Sequence, residues 1–257
     1  MSSINSIGQP GSDYLYSSLS SGSRVNRAAD GAAQMAISQE FDRQNGGYEV
    51  GTRNLQDARN AANIADGGLS NVADSLQRMR ELAVQAGNGL LSDDDKQYIQ
   101  AEIDQLKKGI SDMTDKTDFN GIPLLQNEDG KVLLINSDTN GTQMGLSRPD
   151  TGLEALGIAD FDVTGDFDIS KLDKALEAIG GSRATIGAET NAFDVAIDVN
   201  GVSNYNTYAA KSTMMDTEYG DYVSKLKNQA VLETVNAQMQ KKRQEDAANR
   251  MMGIMGN

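Results

Sequence analysis

From Leu55 onward, small and apolar residues fall at Leu55, Ala58, Ala62, Ala65, Leu69, Val72, Leu76, Met79, Ala83 and Ala86, at intervals that alternate between three and four. An unbroken heptad phase of this length predicts a coiled-coil-like helix. Taken from Arg53 to Asn88, it is a rod about 54 Å long at 1.5 Å rise per residue. GNGLLSDDDK then supplies a stop and a start. Gly87 or Gly89 can take a left-handed C-cap, and Ser92 with Asp95 matches a capping box, with three carboxylates beside the new helix N-terminus. The next helix carries Ile99, Ile103, Leu106, Ile110 and Met113 in the same alternation. A short loop between two such helices makes an antiparallel hairpin.

Past TDFNGIPLL, with Gly121 and Pro123, the helical period stops. KVLLI (Lys131 to Ile135) predicts a strand, and the Gly, Asp and Asn around it suggest hairpins or loops, so 120–169 is read as a small β-rich excursion. A third helix is expected from Ser170, with Asp173 completing a second capping box. It carries Leu172, Leu176, Ile179, Arg183, Ile186, Thr190, Phe193 and Ile197 in heptad phase, and the polar members Arg183 and Thr190 either weaken that seam or set its register. From Asp216 the pattern is helical again, with Tyr219, Tyr222, Val223, Leu226, Ala230 and Ala237 on one face; Ser20 to Phe41 holds short Ala- and Ser-rich helical stretches. The expected fold is mainly α: a long antiparallel helical bundle or coiled coil, with a small β-hairpin excursion and paired N- and C-termini.

Half of the ten seam positions in the first rod are alanine, and burial of alanine contributes much less than the roughly 1.5–3 kcal/mol of a large apolar side chain. Thin cores on long rods point to cover supplied by further copies of the chain.

Composition narrows the chemistry. Among 257 residues there is no Cys, His or Trp, which removes thiolate nucleophiles, imidazole bases, disulfides and Cys or His metal ligands. No catalytic residue, metal ligand or cofactor is expected, and DDDK at Asp93 is explained by a helix N-terminus without a cation. The formal charge of −14 argues against nucleic acid and against an anionic membrane surface as partners. That charge is uneven: residues 1–52 hold 3 basic and 5 acidic side chains, 53–205 hold 13 and 26, and 206–257 hold 7 and 6. MSSINSIGQPGSDYLYSS has neither a basic n-region nor an apolar run, so no secretory signal is expected. No stretch approaches the roughly 20 apolar residues of a membrane span. The chain is expected to stay inside the cell or to leave by a route that needs no such signal.

LSSGSRVNRAADGAAQMAIS (Leu19 to Ser38), QRMRELAVQAGNG (Gln77 to Gly89), IQAEIDQL (Ile99 to Leu106) and TDFNGIPLL (Thr117 to Leu125) resemble the N-terminal half of bacterial flagellin, in order and at family spacing. SRATIGAETNAFD (Ser182 to Asp194) and DTEYGDYVSKLKNQAVLETVNAQM (Asp216 to Met239) resemble its C-terminal half. The likeness implies an inner-core domain from 1–45 and 206–257, whose ends pair, and a helical outer-core domain from 46–205. It implies export without a cleaved signal peptide through the flagellar type III apparatus, an extracellular place in the flagellum, and self-assembly into a helical filament for motility. The implied partners are further copies, other flagellins, an export chaperone and a filament cap. An alternative is a non-polymerising or minor flagellin-like protein acting as a host-receptor ligand or filament modifier.

The resemblance also marks a face. Gln77, Arg78, Leu82 and Glu102 match residues that touch neighbouring subunits in flagellins and that Toll-like receptor 5 binds on the free monomer. By spacing, Arg78 and Glu102 lie about 15 Å from the turn on opposite arms of the hairpin; without the resemblance they are a solvated surface pair. The seam is assigned to Leu55, Leu69, Val72, Leu76, Met79, Ile99, Ile103, Leu106, Ile110, Leu176, Ile179, Ile186 and Phe193. Two departures from the family stand out. The chain ahead of Leu19 is about a dozen residues short, with Gly8, Pro10 and Gly11 expected to break any helix there. KKRQED and MMGIMGN replace an uncharged, leucine-ending tail.

Overall fold

Ser92 and Asp95 close a reciprocal box. The Ser92 hydroxyl accepts from the Asp95 amide at 3.2 Å, and the Asp95 carboxylate accepts from the Ser92 amide at 3.1 Å, so helix α3 (Asp93–Lys116) starts where the sequence places it. The computed structural model describes residues 10–127 and 130–255, with side chains over 14–127 and 130–250. Its further elements are α1 (Pro10–Ser21), α2 (Ala28–Ala86), β1 (Asp118–Phe119), β2 (Ile122–Pro123), β3 (Leu133–Asn136), β4 (Gln143–Leu146), α4 (Ser170–Met215) and α5 (Tyr219–Met255). Residues 44–205 form one compact unit, and 1–43 with 206–257 form the other.

In the 44–205 unit, α2, α3 and α4 share one apolar core. Leu55, Leu69, Val72, Leu76, Met79, Ile99, Ile103, Ile110, Ile179, Ile186 and Phe193 are buried, and Leu106 and Leu176 pack partly buried against them. The five seam alanines of α2 are buried as well, and such small residues let helix backbones approach closely. Arg183 pairs with Asp66 through two contacts of 2.8 and 3.3 Å, while Thr190 turns its hydroxyl to the Ile186 carbonyl at 2.8 Å. Neither seam position leaves a polar side chain unpaired.

Several boundaries differ from the sequence pattern. Helix α2 begins 25 residues before Arg53, because its inward positions there are the polar or small Ser38, Asn45 and Gly51, which a hydrophobic period cannot report. Gly31 alone departs from helical geometry within it. Neither Gly87 nor Gly89 is left-handed; the turn closes through Gly87 N–H on Ala83 O at 3.1 Å and Leu90 N–H on the Asn88 side chain at 3.1 Å. The second capping box does not form either. Asp168 accepts from the Ser170 amide at 2.9 Å and its hydroxyl at 2.6 Å, and Asp173 pairs instead with Arg80. Pro10 opens α1 rather than breaking it, since proline's fixed φ and missing N–H suit a first helical position; Gly8 and the MMGIMGN side chains lie outside what is described.

The 120–169 excursion holds less strand than expected. Asn120 (φ 53°) and Gly121 (φ 77°) form the two-residue turn of the β1–β2 hairpin, where two successive positive φ values favour Asn-Gly. β3 and β4 pair antiparallel, Leu133 with Leu146. The loop at their far end lies so close to α2 that a side chain at Gly51 would clash with the Ser137 carbonyl. Residues 147–169 form turns instead of strands, yet bury Leu156, Ile158, Phe161 and Val163 in the core. Lys107 holds this segment through the carbonyls of Ala159 and Phe161 at 3.1 and 2.6 Å.

In the other unit α1 lies antiparallel to α5, with Leu19 opposite Tyr219 and Tyr14 opposite Tyr222. Tyr14 donates to the Arg24 carbonyl at 2.7 Å, so its oxygen is left to accept from Tyr222 at 3.2 Å. Of the expected α5 face only Tyr222, Val223 and Leu226 are partly buried; Ala230 and Ala237 are exposed, as is every residue from Ala230 to Arg250.

Two pH responses follow. Hydroxyls of Ser92, Thr142, Thr164 and Ser170 hold the carboxyls of Asp95, Asp138, Asp162 and Asp168 below their ordinary value. Their contribution to stability is complete above about pH 4, the unfolded aspartate value, and is lost as pH falls through the lower folded values. Through these groups, helix content followed by circular dichroism should fall on the acid side of that point. Asp95→Asn should flatten this acid limb and lower the neutral melting temperature. The bond to Tyr14, with burial second, pushes Tyr222 up to about 12. This contribution is present below about pH 10 and lost as pH rises through the raised value. Ultraviolet titration should find a late tyrosine, and Tyr14→Phe should bring it earlier.

Candidate subunit-contact face

The short turn fixes which residues of α2 and α3 stand side by side. Arg78 on α2 donates from Nε to Glu102 Oε1 on α3 at 2.8 Å, Nη2 lies 2.8 Å from the same oxygen, and Nη1 lies 3.4 Å from Glu81. The hydrogen bond to Glu102 and then its charge raise the Arg78 pKa further. Both side chains of the pair are about half exposed, at 50% and 46%. Gln77, beside Arg78, is exposed too.

Leu82 is not part of that surface. It is 2% exposed and belongs to the core cluster. A strict alternation of threes and fours marks only a narrow stripe, whereas α2 is covered on two sides. Arg78 reaches α3, and Arg80, two residues on, reaches Asp173 of α4 at 2.6 Å. A helix held between two neighbours buries a wider arc, which takes in Leu82 and Ala61 beyond the seam. Arg59 with Asp194 at 3.2 Å, Asp66 with Arg183 and Arg80 with Asp173 lie in antiparallel order along α2 and α4. Sequence analysis left these pairs unmatched; the antiparallel register, once known, identifies them.

The tip of the hairpin adds apolar surface that no sequence pattern singled out: Val84, Tyr98 and Leu90, the last 92% exposed. The face therefore combines a fixed ion pair with exposed apolar groups, an arrangement suited to protein contact. Among the described residues no group of three or more acidic, His or Cys side chains could hold a metal ion, and no helix is long and apolar enough to cross a membrane.

Comparison with known proteins places this geometry. Residues 1–129 match the family model of the bacterial flagellin N-terminal helical region. The chain is 31% identical to flagellin of Bacillus subtilis (strain 168), covering 93% of this chain and 90% of that one. It is 30% identical to the flagellar filament 30.7 kDa core protein of Treponema maltophilum, covering 84% and 83%. The crystal structure of Bacillus cereus flagellin superposes with a TM-score of 0.52 at 34% identity, over 58% of this chain and 89% of that one.

The burial difference within the face is testable. Leu82→Ala should destabilise the fold by about 2–5 kcal/mol, read from thermal or denaturant melting. Arg78→Ala should leave the melting temperature unchanged, because an exposed ion pair adds little.

Proposed function

The chain belongs to the bacterial flagellin family, and from that premise we propose that it is a structural subunit of the flagellar filament, packing with copies of itself into an extracellular helical tube. The observation that carries this reading is the bare half of α5. Val231, Leu232, Val235 and Met239 recur along the helix at 43–61% exposure, and from Ala230 to Arg250 no residue is covered within the described chain. A long helix in water is held chiefly by packing of an apolar face, and here other subunits supply that packing.

On this reading the unit formed by 1–43 and 206–257 is the inner core of the tube, and 44–205 is the outer core. KKRQED then lies in a packed inner tube, where its charges are matched by partners or water. The Arg78–Glu102 face contacts a neighbouring subunit, and on a free monomer Toll-like receptor 5 takes the same face. Before assembly an export chaperone covers the bare α5 helix, and the type III apparatus passes the chain without a cleaved signal peptide to a capped distal tip. The role is structural, not enzymatic. The non-polymerising alternative is not favoured, since the chain spans most of the length of a flagellar filament core protein and of a flagellin.

Negative-stain microscopy of the purified chain at high concentration should show filaments, and a chain that stays monomeric under all conditions overturns the reading. Leu232→Gln with Val235→Gln should leave the melting curve unchanged and abolish filaments. Arg78→Ala should weaken assembly and receptor signalling alike.

A further inference from the structure

The chain contains five Asn-Gly pairs, at Asn45, Asn88, Asn120, Asn140 and Asn200. In such a pair the glycine amide nitrogen can attack the asparagine side-chain carbonyl carbon, because glycine has no Cβ to crowd the approach. The attack needs an amide proton that can leave, room for the side chain to swing over the backbone, and water to open the ring that forms. All five pairs lie in the 44–205 unit, and the fold meets these conditions unequally among them.

Two pairs are shut inside helices. Gly46 and Gly201 lie within α2 and α4, where each amide N–H is bonded to the carbonyl four residues back. Asn45 and Asn200 are also buried, at 2% and 5% exposure. Two more pairs are exposed, but a carboxylate holds the glycine amide. Gly121 N–H donates to Asp118 at 3.0 Å. Gly141 N–H donates to Asp138, which also accepts from the amides of Asn140 and Thr142 at 2.8 and 2.9 Å. An anionic acceptor stabilises the protonated amide, so the nitrogen is kept from becoming a nucleophile.

The turn between α2 and α3 differs on every count. The amides of Gly87, Asn88, Leu90 and Leu91 are all bonded, whereas that of Gly89 has no partner among the described residues. Asn88 and Gly89 are exposed, and beyond its chain neighbours no atom stands within 4 Å of the place a Gly89 side chain would take. Asn88 Oδ1 accepts from Leu90 N–H at 3.1 Å, which folds the side-chain amide back over Gly89. The same N–H stabilises the negative charge that Oδ1 gains as the nitrogen adds to its carbon.

We propose that Asn88 is a site of spontaneous deamidation, the one Asn-Gly pair of the folded chain that converts readily to aspartate and isoaspartate. Gly89 N bonds to Asn88 Cγ, the Cγ–Nδ2 bond breaks, and the amide proton leaves by way of solvent on the departing ammonia, giving a succinimide. Water then opens the ring at either carbonyl, yielding aspartate, or isoaspartate with an extra main-chain methylene. Either product adds a negative charge beside the exposed Leu90, at the C-terminal end of α2 where the helix carbonyls already carry partial negative charge. The inference stands apart from the filament reading and survives its failure.

The folded full-length chain, held at mildly alkaline pH, sampled over time and digested, shows the amide-to-acid mass gain site by site in mass spectrometry. Asn88 should convert at least tenfold faster than each of the other four, with aspartyl and isoaspartyl peptides both present. Comparable conversion at any other pair overturns the proposal. In denaturant, where the protecting bonds are gone, the five rates should converge to within a few fold; a tenfold preference for Asn88 that survives unfolding belongs to local sequence and overturns the structural account. Gly89→Ala should leave the melting temperature unchanged, since the position is open, and slow conversion at Asn88 at least tenfold. Unchanged conversion in that variant overturns the succinimide route.

Discussion

One shallow seam holds the 44–205 unit together: the face of α2 that mixes five alanines with Leu55, Leu69, Val72, Leu76 and Met79, and against which α3 and α4 both pack. Alanine contributes little burial but allows close approach, so α2 can be gripped from two sides and its ion pairs fall on both flanks. Arg78 joins it to α3; Arg59, Asp66 and Arg80 join it to α4. Exposed pairs of this kind add little energy. Their part is to fix the register that the small seam residues leave loosely specified.

The connecting segments complete what the seam leaves thin. The 147–169 stretch lays Leu156, Ile158, Phe161 and Val163 into the core without forming a strand. Its backbone is satisfied by side chains of α3: Lys107 on two carbonyls, and the Gln100 carbonyl accepting from the Val163 amide at 2.9 Å. Thr114 and Thr151 share a buried hydroxyl contact of 2.8 Å, and Thr151 also binds the Leu125 carbonyl at 3.3 Å, tying the end of α3 to the first hairpin. With every one of these groups paired, irregular backbone can lie against an apolar core at low cost.

Membership in the flagellin family gives these features a common sense. A filament subunit must be stable enough alone to hold its contact faces in place, yet keep apolar surface in reserve. Exposed apolar side chains of this kind lie on α5 past Gln229 and at the hairpin tip at Leu90 and Tyr98. The net negative charge falls entirely within residues 44–205, which keeps free copies apart in solution. Assembly then depends on apolar contact to overcome that repulsion.

The amino-acid sequence alone determined the helical character, the antiparallel hairpin and the Ser92–Asp95 cap, because period and capping chemistry act locally. It also contained the family motifs and, by composition, ruled out thiol and imidazole chemistry. Tertiary structure decided what depends on distant neighbours. It moved the start of α2 upstream, because Ser38, Asn45 and Gly51 are inward for packing reasons that hydrophobicity does not record. It put Asp168 on the Ser170 amide and hydroxyl in place of the expected Ser170–Asp173 box and gave Asp173 to Arg80. It buried Leu82, which the family resemblance had placed on the contact face beside Arg78, since a second packed helix widens the covered arc that far.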